Sequence, residues 1–165
     1  MKVIFLDIDG VLNSHQYRAE IEDKRLTMPE IEREIDRKPL LILKYIINET
    51  GARVVVTAGM RTISQFKDFK EYVSHEGISI HDVTLNFGDA GRHRGEEIRE
   101  WLQKHEEELE EYVILDDETF KDFGEDLKRH QVKPSYWETR GLEQTHADQA
   151  IKLLGRIKEP VGIDR

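Results

Sequence analysis

The chain contains no cysteine. Disulfides, thiolate zinc sites and cysteine nucleophiles are therefore excluded. No apolar run approaches the ~20 residues that a membrane-spanning helix requires. The amino terminus passes straight into a strand-like run without signal-peptide architecture, so a cytoplasmic protein with no membrane partner is expected. Positive charge is also scarce: 25 Lys and Arg stand against 34 Asp and Glu, a net charge of −9. Broad affinity for nucleic-acid backbone rewards clustered Lys and Arg and is not expected here. One local basic pocket gripping a single phosphate remains compatible with that balance. No internal repeat or low-complexity segment is evident, and the histidines show no paired metal spacing.

At 165 residues the chain is long enough for one domain, 1–165, with a real core. Strand-like and helix-like runs alternate. Val3-Ile4-Phe5-Leu6 reads as a short buried strand, Arg53–Thr57 as a β-branched one, and Tyr112–Leu115 as a third. Shorter strand candidates lie at 78–80, 83–85 and 131–133. Pro39 opens a helical run that ends near Gly51. A second helix, capped by Thr62 or Ser64, carries Phe66, Phe69 and Tyr72–Val73 on its apolar side. Gly95–His105 places Ile98, Trp101 and Leu102 on one helical face, and a closing helix capped at Thr145 runs to Ile157. Glu106–Glu111 reads as a solvated helix end or turn. Such alternation implies βαβ crossovers, hence an α/β, three-layer, Rossmann-like parallel sheet with helices on both faces. Residues 14–38 are polar and acidic; they form either a flap or small cap over a site, or a disordered loop.

In open α/β sheets ligands bind beyond the carboxyl ends of the strands. The three best strands end in Asp7, Thr57 and Asp116. Asp7 and Asp9 leave the first strand on related sides of one pocket, and Gly10 allows a sharp turn there. Two acids at a buried strand end need a compensating cation, and all-oxygen ligands suit Mg²⁺. The same residues also end strands in ordinary turns. Thr57, followed by the backbone N–H groups of Ala58 and Gly59, forms an anion site. Adjacent Asp116 and Asp117 repel unless a cation or strong donors sit between them.

Asp7-Ile8-Asp9-Gly10-Val11-Leu12-Asn13 resembles the first motif of the haloacid dehalogenase-like (HAD) hydrolases. The strand ending in Thr57 is similar to the second motif, and Ile114-Leu115-Asp116-Asp117 to the fourth. Arg94, at a helix start, matches the third, with Arg92 as the alternative. These matches fall in family order over residues 3–118. The chain looks most like small HAD domains associated with RNA-repair and phage proteins.

The resemblance implies a phosphatase with a capless or minimally capped site. Asp7 would be the nucleophile that forms an aspartyl-phosphate, and Asp9 the general acid and base. Thr57 and Arg94 would hold phosphoryl oxygens, while Asp7, Asp9, Asp116 and Asp117 would provide the Mg²⁺ site. Gly10, Ala58, Gly59 and Arg61 would contact substrate, with Met60 standing where an aromatic residue is often found. The expected substrate is a nucleotide or another small phosphorylated molecule, or a phosphorylated nucleic-acid end. A catalytically silent binding module and a sugar-phosphate phosphotransferase are the alternatives.

Overall fold

The computed structural model describes residues 1–57, 63–88 and 92–157. Five parallel strands form one sheet in the order β3-β2-β1-β4-β5: β1 Lys2–Leu6, β2 Arg53–Val56, β3 Ile80–Val83, β4 Glu111–Leu115 and β5 Gln131–Val132. β1 lies at the centre, with Leu6 opposite both Val56 and Leu115. The strands next to β1 therefore end level with it, and their next residues, Asp7, Thr57 and Asp116, meet at one edge of the sheet. The amides of Asp7 and Thr57 continue the ladder, donating to the carbonyls of Leu115 and Leu6.

The alternation of side chains along β1 divides the core in two. Ile4 and Leu6 face a layer built by α3 (Arg37–Thr50), α4 (Ile63–Ser74) and α7 (Gln144–Leu154), which contribute Leu40, Leu43, Ile46, Phe69, Val73, Ala150 and Ile151. Val3 and Phe5 face the opposite layer, where α5 (Arg94–Lys104) and the single turn α6 (Glu125–Lys128) supply Ile98, Trp101 and Leu127. This is the three-layer α/β architecture expected from the alternation of elements. Among the described residues no helix is long and apolar enough to cross a membrane.

Several boundaries differ from the sequence expectation. α3 begins at Arg37, capped by Asp36, whose carboxylate accepts the Lys38 amide; Pro39 sits within the first turn, where its missing N–H costs nothing. The candidates at 78–80 and 83–85 are replaced by the single edge strand β3, displaced by a register shift between Val54 and Val55. Its exposed faces give it no alternating apolar signal. Glu106–Glu111 is a turn leading into β4. Thr62 and the side chain of Ser64, expected as caps, lie outside the described residues. Residues 14–38 are folded, into α1 (His15–Glu20), a 3₁₀ turn at Arg25–Thr27 and α2 (Glu30–Glu34).

α7 is capped by Glu143, not Thr145: the Glu143 amide donates to His146 Nδ1 at 2.9 Å in a reciprocal capping box. Accepting that bond requires a neutral ring, and burial holds the His146 pKa below the ordinary histidine value. An unfolded chain takes up this proton more readily, so stability is retained above about pH 6.5 and lost as pH falls through the lower folded value. His146→Gln should flatten that acid-side fall in Tm between about pH 7 and 5 relative to wild type. Parallel Tm profiles for the two proteins would remove His146 as the cause.

Candidate active site

Asp7, Asp116 and Asp117 bring one carboxylate oxygen each within 4.8 Å of one another, with Asp116 fully buried and Asp7 largely so. The backbone forces this crowding. Asp7 and Asp116 end neighbouring strands at the same level. Gly10, at φ +79°, turns the chain beneath Asp117, and a Cβ there would lie 2.1 Å from Asp117 Oδ2. Only glycine fits.

Among the described residues, one guanidinium answers these acids. Arg94 opens α5 and is buried, with Nη1 at 2.9 Å from Asp116, 3.6 Å from Asp7 and 3.5 Å from the Thr57 hydroxyl. Its plane is held by Phe120, whose ring centre lies 4.8 Å from Cζ, and by Glu97, 3.7 Å from Nε. Glu97 is itself buried and accepts the Phe87 amide. Arg92 is exposed.

Among the described residues this single cation does not compensate three acids. Burial raises the Asp7 pKa against the opposing pull of Arg94. Burial and then the Asp7 charge push Asp116 well above the carboxylate range. Asp117 is pushed up to about 6 by burial and by Asp7. Carboxylates in this condition have room for more positive charge among them. Hard oxygen donors, two of them buried and all in mutual reach, fit Mg²⁺.

Asp9 behaves differently. Its carboxylate is outside the cluster, 77% exposed, and accepts from Asn13 Nδ2 at 2.9 Å while Arg18 approaches to 3.8 Å. Asn13 is fully buried; its Oδ1 accepts the Gly10 amide and its Nδ2 also reaches the Glu34 carbonyl. It thereby fixes the Asp9–Gly10 turn and ties it to α2. Asn13 and Glu97 are the site residues that the sequence did not reveal as such. Asn13 occupies the last position of the first-motif stretch, but its partner Glu34 is distant in sequence. Ala58, Gly59, Met60 and Arg61 lie outside the described residues.

The family model for the HAD domain in Swiss Army Knife RNA repair proteins matches residues 3–147. The chain belongs to this family. The match spans every strand of the sheet, the acid cluster and Arg94, so this HAD domain is of a hydrolase type whose members generally use Mg²⁺. No curated protein and no solved structure matches the chain.

Proposed function

We propose that this HAD domain is an Mg²⁺-dependent phosphomonoesterase working through an aspartyl-phosphate, on nucleotides or phosphorylated nucleic-acid ends. The observation that carries the proposal is the meeting of Asp7, Asp116, Asp117 and Arg94 at the ends of β1 and β4. Asp7, Asp116 and Asp117, with the Asp9 backbone carbonyl, would hold Mg²⁺, which when bound offsets repulsion between the phosphate and the carboxylates.

An Asp7 carboxylate oxygen attacks phosphorus and the bond from phosphorus to the ester oxygen breaks. The Asp9 carboxyl gives its proton to the departing oxygen, then takes one from the water that attacks the aspartyl-phosphate. Inorganic phosphate leaves, the Asp7 carboxylate is free again, and Asp9 ends protonated as it began. Proton transfer of this kind contributes about 10²–10⁴ in rate. Arg94 and the Thr57 hydroxyl hold phosphoryl oxygens and orient the group for attack. Residues 14–38 serve as a small cap on the Asp9 side, tied there by Arg18 and by the bond from Asn13 to the Glu34 carbonyl.

Phosphate release from an aryl phosphate, a nucleoside monophosphate and a phosphorylated oligonucleotide tests this reading. Release should stop with EDTA and return with Mg²⁺. Full activity after rigorous chelation removes the metal from the mechanism. No release from any ester, by folded protein with Mg²⁺, favours the silent binding module.

A further inference from the structure

Trp137 is 74% exposed, whereas the other tryptophan, Trp101, is buried in the core. Trp137 is not a loosely tethered surface residue. The Ser135 hydroxyl accepts the amides of Trp137 and Glu138, and the Thr139 hydroxyl shares its one hydrogen between the carbonyls of Ser135 and Gly141. The Tyr136 carbonyl accepts the His15 amide, and the Leu142 amide donates to Val11. Gly141, at φ +60°, lets the loop pass so close that a Cβ would sit 2.4 Å from the Val11 carbonyl oxygen. The loop after β5 is therefore clamped onto the segment that leaves the Asp7–Asn13 motif.

This clamp assembles aromatic rings that Arg18 links to the proposed acid. The His15 ring lies 4.9 Å from the indole at 32°, and Tyr136 meets the indole edge-on at 5.1 Å. Arg18 connects them to Asp9: its Cζ is 6.0 Å from the Tyr136 ring and its Nη2 3.8 Å from the Asp9 carboxylate. Arg18 Nε is buried and has no hydrogen-bond partner among the described residues. Asp9 is the group that protonates the departing oxygen, so this is the side on which the leaving group must lie.

We propose that the exposed face of Trp137, backed by His15 and Tyr136, is a stacking platform for the nucleobase of the leaving group. The inference rests on the phosphomonoesterase reading and specifies its substrate class, a base-bearing phosphate ester. A flat π-face held in a rigid loop accepts any base without ordering cost, which gives preference for nucleotides over sugar phosphates without selecting a sequence. The acidic surface excludes tracking along a long backbone, and stacking of one terminal base requires none. The same chemistry is offered by a free nucleotide and by the end of an RNA strand.

Tryptophan emission, with Trp137→Phe as the control for Trp101, reports occupancy and needs no turnover. Adenosine monophosphate and a phosphorylated RNA hexamer should each perturb the emission, and ribose 5-phosphate should not. By calorimetry, Trp137→Ala should bind adenosine monophosphate about 5- to 100-fold more weakly, with Trp137→Phe recovering most of the loss. Circular dichroism verifies that both variants are folded. Tighter binding of the hexamer than of the mononucleotide identifies the strand end as the source; equal binding identifies the free nucleotide. Ribose 5-phosphate binding as tightly as adenosine monophosphate, or undiminished nucleotide binding by folded Trp137→Ala, overturns the platform. Base-dependent binding without phosphate release from any ester would leave the platform standing and overturn the catalytic reading alone.

Discussion

Asp7→Asn should abolish phosphate release, by at least about 10³-fold, while leaving the protein folded. The amide is nearly isosteric with the carboxylate but is a poor nucleophile. Structure should survive because the shorter contact of Arg94 is to Asp116, at 2.9 Å, and only the 3.6 Å approach to Asp7 is weakened. Removing one negative charge from a crowded cluster also relieves the repulsion that, after burial, raises Asp116. The metal-free variant should therefore melt no lower than metal-free wild type. A folded, homogeneous Asp7→Asn protein that keeps a substantial share of activity would show that another group attacks phosphorus.

The second large effect is on both stability and turnover. Arg94→Ala leaves buried Asp116 and Glu97 and the largely buried Asp7 without their guanidinium, and opening such a site costs about 3–5 kcal/mol. Turnover should fall with it, since Arg94 Nη1 is 3.6 Å from Asp7 and 3.5 Å from the Thr57 hydroxyl, within reach of a phosphoryl oxygen held there. Added Mg²⁺ should recover part of the lost Tm, because a cation bound by the acids replaces some of the missing charge. Arg94→Lys should keep the fold and lose only part of the activity. A single ammonium supplies the charge but not the fork that spans Asp116, Thr57 and Glu97. Denaturant midpoints and steady-state kinetics on the same preparations check both variants. Wild-type stability for Arg94→Ala would mean that the ion pairs are dispensable.

The sheet was legible because its central strands are continuous apolar runs, and each run stops at a polar residue that the parallel register brings to one edge. Strand ends at Leu6, Val56 and Leu115 therefore carried both the fold and the place of the site. β3 was harder to read, since an edge strand with exposed faces has no pattern to betray its register. The segment 14–38 was opaque for a different reason. Its short helices have few apolar residues and are held by ties to distant positions: the Tyr17 hydroxyl to the Glu32 carbonyl, and Arg140 to Glu20 and Asp36. Asn13 and Glu97 escaped notice for the same cause, because their roles depend on Glu34 and Phe87. Trp137 carried no sequence signal at all; an aromatic pair in a polar loop gains meaning only once His15 and Arg18 are beside it.

The nucleophilic role of Asp7 is tested most directly by acid quenching the protein during turnover with Mg²⁺ and mapping its peptides by mass spectrometry. The peptide containing Asp7 should carry one phosphoryl group that hydroxylamine removes, as expected of an acyl phosphate, and the Asp7→Asn protein should carry none. A phosphoryl group on any other residue, or undiminished turnover by Asp7→Asn, would contradict the mechanism.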